Sequence, residues 1–256
     1  MLEPYALTPS HRLTLATAFR SCPRVDTAID CAIEGQLGRA LVDSVAGPTV
    51  FAITVGPFWY FAGDAEGSAA EALLHALPAY GLLMPSTPGW RERAQAVFGP
   101  DLRGFPRYSF ATEGLNVTHL QALLATSPHG PHTRAVDVVL ASQLAAGAEP
   151  LLDLSDFDSV EDFVARSLGY IVLADGDPVG AAYGSLVNSR GLEVSVFVAE
   201  PFRRRGVATA LAAGLVLACL RRGLRPNWDA ANPESCALAE KLGFVAAGTY
   251  EAFYHL

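Results

Sequence analysis

Lysine is almost missing from this chain: of 18 basic residues only Lys241 is a lysine, and no mechanism attaches to that scarcity. Positive charge as a whole is in deficit. Against the basic residues stand 26 acidic ones, giving a net charge of −8 and a pI near 5.2. A surface that tracks nucleic acid or an anionic membrane carries a basic excess, so neither is expected as a partner. The four cysteines, Cys22, Cys31, Cys219 and Cys236, show no CxxC spacing, and the N-terminus lacks a basic segment followed by an apolar core and a cleavage site. Reduced thiols in a cytoplasmic protein are the expectation. A long apolar run is absent too: the longest, residues 206–220, is shorter than the roughly 18 residues of a membrane span and reads as a buried helix. His129 and His132 are spaced like metal ligands, but SPHGPHTR is turn-like and has no acidic or cysteine partner nearby, so no metal is expected.

What the chain does have is core material. With 256 residues and 51% hydrophobic content it suffices for one large domain or two ordinary ones. Helical spacing of apolar residues marks 9–21 and 25–33, and Gly and Pro then separate three strands at 38–43, 48–55 and 57–62. A helix at 68–77, a strand at 80–84, a proline-led helix at 88–98 and a strand at 107–112 complete an α/β half. After a short helix at 117–124, SPHGPH is the best linker, which places one domain at 1–125 and another at 126–256. The second half reads as helices at 133–146 and 159–167, the latter with Ser159 as N-cap and Asp162 at the capping-box position. Strands follow at 170–174, 178–187 and 192–199. Then come the 206–220 helix, a strand near 226–230, a helix at 233–242 and a last strand at 245–253.

The two halves share a pattern. Each has a glycine-opened strand and a proline-led strand (Gly38 and Pro48; Gly169 and Pro178), and later a helix opened by Thr87-Pro88 or Asn232-Pro233 with an aromatic strand behind it. This suggests a degenerate duplication. The halves differ at one loop. Arg203, Arg204, Arg205, Gly206, Val207 and Ala208 join a β-branched run to the 206–220 helix, whose free N–H groups and positive dipole end point into the loop. That junction suits a phosphate. The corresponding loop of the first half carries Asp64 and Glu66, whose carboxylates would repel one.

These residues carry a resemblance. Arg203, Gly206 and Ala208 match the signature of the GNAT superfamily of acyl-CoA-dependent N-acetyltransferases, and Asn232 with Glu240-Lys241-Leu242-Gly243-Phe244 resembles its closing motifs. Residues 155–256 are covered by it. The run Pro226-Asn227-Trp228-Asp229, with Ser235, is similar to a two-part bacterial GNAT family, a likeness that extends over the whole chain. The resemblance implies a GNAT fold, α/β with a mixed, mostly antiparallel sheet flanked by helices, in two tandem domains of which the first is degenerate and the second catalytic. It implies acetyl-CoA as co-substrate, without a metal, and a small amine as acceptor, an amino-acid-like metabolite or an antibiotic. The pyrophosphate would lie on the N–H groups from Arg204 to Thr209, and the pantetheine arm along Val196, Phe197 and Val198, with Asn232 and Ser235 beside it. Asn232 is equally read as a helix N-cap before Pro233.

Acetyl transfer needs a neutral amine, because an ammonium has no lone pair. Glu193, where related enzymes often place a glutamate acting through water, is the candidate base, and the Val198 N–H is a candidate oxyanion donor. The tyrosine that usually protonates the leaving thiolate is replaced by Ala239, which leaves Tyr250, Tyr254 or water for that task. That replacement keeps a non-catalytic acyl-CoA sensor open as an alternative, beside a transferase using another acyl-CoA or a carrier-bound acyl group. The 206–220 helix is apolar all round, so its outer face needs a cover, either the first domain or a second subunit in a homodimer.

Overall fold

The computed structural model describes residues 2–146 and 151–256. Among them are nine α-helices and two mostly antiparallel sheets. The chain divides into two compact units, Met1–Arg107 together with Thr249–Leu256, and Tyr108–Gly248. The boundary expected at 125/126 thus falls inside the second unit.

In the first unit a short strand β1 (Glu3–Pro4) is followed by α1 (Pro9–Ala18) and α2 (Ala28–Glu34). Helix α1 starts where Thr8 accepts a hydrogen bond from the His11 N–H and Pro9 takes the first helical position. Strands β2 (Arg39–Val42), β3 (Val50–Val55) and β4 (Phe58–Gly63) form an antiparallel meander, rich in the β-branched and aromatic residues that favour pleated, buried surfaces. Helix α3 (Ser68–Leu74) returns the chain to β5 (Leu82–Leu83), which pairs in parallel with β4, and α4 (Pro88–Phe98) leads to β6 (Leu102–Ala111). The core holds Trp90 stacked on Phe61, with ring centroids 5.1 Å apart, above Leu73 and Leu74.

The second unit takes over at Tyr108, within β6. It comprises α5 (Val117–Thr126), β7 (Thr133–Ala135), α6 (Val138–Ala145), α7 (Val160–Arg166), β8 (Gly169–Ala174), β9 (Asp177–Ser185) and β10 (Gly191–Val198), then α8 (Val207–Arg221), β11 (Arg225–Asn227), β12 (Asp229–Ala230), α9 (Pro233–Leu242) and the start of β13 (Val245–His255), which from Thr249 onward belongs to the first unit. The helix read over 133–146 is in fact a strand and a helix. Thr133 pairs with Val172 of β8, and α6 starts only after Asp137, whose carboxylate accepts from the Leu140 N–H at 2.9 Å. Ser159 caps α7 through the Asp162 N–H, while the Asp162 carboxylate reaches the Asp158 N–H instead of that of the cap residue.

The order α1, α2, β2, β3, β4, α3, β5, α4 in the first unit recurs as α6, α7, β8, β9, β10, α8, β11, α9 in the second, with the β4–β5 and β10–β11 pairings both parallel. The cover of α8 also comes into view. Leu120 of α5 packs with Ala212, Ala213, Val216 and Leu217, and the other side of α8 lies on β8, β9 and β10. Helix α5 thus shields the face that seemed to call for the first domain or a second subunit, and α5 itself belongs to the second unit.

Candidate functional site

Strand β10 lies between two neighbours for only part of its length. Its odd-numbered residues turn their backbone groups toward β9, as the Ala199 N–H bond to Val179 O shows, and its even-numbered ones turn away, as Arg190 O shows by accepting from Arg225 N. On that far side β11 pairs with Gly191, Leu192 and Glu193 and goes no further. At Trp228 the chain leaves, and β12 pairs instead with Tyr108 and Ser109 of β6. The result is a fork. Gly191, Leu192 and Glu193 are buried, whereas the residues from Val194 to Val198 are half-exposed. Past the fork Val196 and Val198 turn backbone N–H and C=O groups toward a side where no strand is paired among the described residues, an edge that an extended amide chain can extend. Phe197, in contrast, spends its backbone on Ala181 of β9.

Glu193 holds the fork at its apex. It is 9% exposed, its Oε2 accepts from Asn227 Nδ2 at 2.8 Å, and its Oε1 accepts from the Asp229 N–H at 2.9 Å. One carboxylate thereby ties β10 to both the last residue of β11 and the first of β12. Two charge-assisted bonds in a buried setting make this a firm anchor.

Beyond β10 a turn at Glu200–Phe202 leads into the arginine loop. Arg203 donates from Nε to Val198 O at 3.0 Å, so that carbonyl is engaged and the Val198 N–H is the group left on the open edge. Arg205 lies over the Phe202 ring, 5.7 Å from its centroid. Gly206, with φ of 86°, is the N-cap of α8 and offers no side-chain cap. The first helical bond runs from Ala210 N to Gly206 O, so the N–H groups of Val207, Ala208 and Thr209 have no helical acceptor and carry the positive dipole end. These exposed arginines and the uncapped helix start fit a pyrophosphate. The matching loop of the first unit bends around Asp64, whose carboxylate accepts from the Glu66 N–H at 2.9 Å. It offers negative charge where the second offers positive.

The remaining expected residues fall into two groups. Asn232 is the N-cap of α9: its Oδ1 accepts from the Ser235 N–H at 2.9 Å, which leaves its amide NH2 as the group able to reach a ligand. Ser235 Oγ in turn accepts from Trp228 Nε1 at 3.0 Å. Tyr250 and Tyr254, expected beside the thiolate, belong to the first unit, because the last half of β13 joins β5 through Phe253 and Leu83. There Tyr250 accepts from Arg107 Nε at 3.1 Å, and Tyr254 stacks near Tyr80. Tyr250 also lines a cavity of about 300 Å³ with Leu83, Met84, Ser86, Trp90 and Phe253. Ala239 is fully buried in the core under α9. Cys236 on the same helix is half-buried, and burial, then the Glu240 carboxylate, push its thiol above the ordinary range, away from nucleophilic use. His129, read from sequence as part of a linker, lies on the arginine loop, with Nε2 3.0 Å from Arg205 O.

A meander of strands, a helix that starts at a glycine after a basic loop, and a fork beside it together define the layout of an acetyltransferase of the GNAT type. The chain belongs to the GNAT acetyltransferase family, whose sequence model matches residues 18–253. Over 174 residues, 67% of this chain, it is 24% identical to an uncharacterized N-acetyltransferase, YdfB, of Bacillus subtilis (strain 168), and the match spans 65% of that protein, just under two thirds. A GCN5-related N-acetyltransferase-like protein from Streptococcus suis 89/1591 superposes with a TM-score of 0.83 at 29% identity, over 97% of this chain and 99% of that one. A tandem GNAT protein from the clavulanic acid biosynthesis pathway shares the fold, with a TM-score of 0.57 at 15% identity over 99% of this chain and 98% of its own.

Proposed function

We propose that the second unit binds acetyl-CoA and passes its acetyl group to a small amine, an amino-acid-like metabolite or an antibiotic, in the cytoplasm. The observation that carries this reading is the fork: a half-exposed strand edge at Val196 and Val198 runs directly into a basic loop and an uncapped helix start. The N–H groups from Arg204 to Thr209 and the arginine side chains would hold the pyrophosphate, and the edge of β10 with the Asn232 NH2 the pantetheine amides. Acetyl-CoA supplies an activated thioester. The Val198 N–H polarises the thioester carbonyl. Glu193 draws the amine proton through water. With Ala239 in place of a tyrosine, the thiolate takes its proton from water.

The same Ala239 favours one other reading, a unit that binds acyl-CoA as a sensor without turnover. A thiol-release assay with acetyl-CoA over a panel of amines, paired with calorimetric CoA binding, separates the two. Thiol release with any amine supports the transferase, and CoA binding without release on every amine supports the sensor. Release with a longer acyl-CoA only would move the assignment to another acyl group. Replacing Arg203 and Arg205 together by alanine should weaken CoA binding with the thermal midpoint intact; unchanged affinity would put the pyrophosphate elsewhere.

A further inference from the structure

The arginine loop holds one residue in a conformation that it disfavours and another that leaves its backbone free to turn. Arg204 has a φ of 62° and Gly206 one of 86°, so two left-handed residues bracket Arg205. A non-glycine residue in that region costs about 1–2 kcal/mol, and a glycine can leave it freely. The peptide between Arg205 and Gly206 therefore needs an outside hold to keep one orientation. His129 supplies it. Its Nε2 lies 3.0 Å from Arg205 O, and a carbonyl only accepts, so Nε2 carries the hydrogen and donates.

The consequence follows from the planarity of the trans peptide, in which C=O and the next N–H point in opposite directions. Holding the Arg205 carbonyl toward His129 aims the Gly206 N–H away from it and keeps that carbonyl's negative end off the other side. A flipped peptide would exchange the two and present an oxygen where the N–H stands. His129 itself is well fixed. The Ser127 hydroxyl accepts from its N–H at 3.2 Å, the Thr133 hydroxyl donates to its carbonyl at 2.9 Å, and a side chain at Gly130 would run into Leu124 O. This turn hangs from α5, which packs on α8 itself.

We infer that His129 is a positioning residue for cofactor binding: it locks the Arg205–Gly206 peptide in the orientation that presents N–H groups to the coenzyme A pyrophosphate. The inference rests on the proposed acyl-CoA site. It gives the SPHGPH turn a role in the site, where the sequence suggested a linker.

The test is CoA binding by calorimetry, with thermal midpoints, for the full chain and four variants. His129→Ala should raise the Kd for CoA about fivefold, the worth of one neutral hydrogen bond, with the midpoint lowered by no more than about 4 °C. His129→Gln, whose side-chain N–H stands where Nε2 does, should bind within about twofold of wild type. His129→Asn, which places its N–H where Nδ1 stands, should bind as weakly as alanine. His132→Ala, an exposed neighbour in the same turn, should match wild type. Should the alanine variant fail to fold, the Gln and Asn variants decide between themselves. Wild-type affinity in His129→Ala, or Gln no tighter than Asn, overturns the inference while the acyl-CoA site stands. A wild-type chain that binds no CoA overturns that site and the inference with it.

Discussion

Glu193 offers the sharpest test of how the site is built. If its carboxylate holds the fork, then Glu193→Gln keeps the size but not the acceptors: the amide oxygen can serve Asn227 Nδ2 or the Asp229 N–H, and its own NH2 opposes the other donor. Losing one hydrogen bond to a charged group costs about 1.5–3 kcal/mol, and with a urea m-value of about 2 kcal/mol/M the midpoint should fall by roughly 1 M. Glu193→Ala removes both bonds in a buried place and should cost roughly 2–6 kcal/mol, a large share of the 5–15 typical of a domain. Urea denaturation followed by far-UV circular dichroism reads the midpoint. Hydrogen exchange on peptides covering β10 and β11 should show the loss at the fork, where protection of Asn227 and Asp229 falls first. An unchanged midpoint in Glu193→Gln would refute the anchoring role. The base role has a separate reading: the ascending limb of the pH–rate profile should vanish in the Gln variant, and a limb that stays places the proton on another group.

Other outcomes follow from the same geometry. Gly206→Ala forces a side chain into a left-handed N-cap and should cost about 1–2 kcal/mol in urea stability while weakening CoA binding; a neutral substitution would mean that the loop relaxes without cost. Burial pushes the Cys219 thiol up to about 12, and Cys22 and Cys31 are buried with it, so in the native protein Cys236 should react with an aromatic disulfide first and Cys219 only on unfolding. Mass spectrometry of the labelled peptides checks the order, and early labelling of Cys219 would contradict the packing of α8. The Arg166 guanidinium, bonded to both oxygens of Asp162, holds that carboxyl below its ordinary value. A depressed folded pKa means stability that is present above the unfolded value of about 3.9 and lost as pH falls through the folded one, so the penalty of Asp162→Asn in urea at pH 6 should shrink below pH 4. A penalty constant with pH would assign it to packing.

Local signals were legible in the chain wherever an interaction closes within a few residues. Thr87-Pro88 and Asn232-Pro233 open α4 and α9 at the expected residues, Ser159 caps α7, and the run from Arg203 to Ala208 stands at a strand-to-helix junction as its glycine and arginines required. Caps, turns and helix starts depend on bonds to residues three or four positions away, so composition at those positions is enough. The glycine and proline signals that bound β3, β4, β8 and β9 are local for the same reason.

Choice of strand partner lay beyond the sequence. Residues 226–230 read as one strand but are two, because Asn227 pairs with Glu193 of β10 while Asp229 pairs with Ser109 of β6. Residues 133–135 carry no strand signal strong enough to break a helix until β8 lies beside them. The last strand was read as part of the second half, yet Phe253 pairs with Leu83 and takes Tyr250 and Tyr254 into the first unit. The cover of α8 by α5, and the reach of His129 to Arg205, likewise join residues far apart in the chain. The sequence by itself determined most of the helices, the basic strand-to-helix loop and the repeated order of elements. Only the tertiary structure decided where β11 leaves β10, and so where an open edge meets that loop, because a strand's free N–H and C=O groups carry no mark of which neighbour will take them.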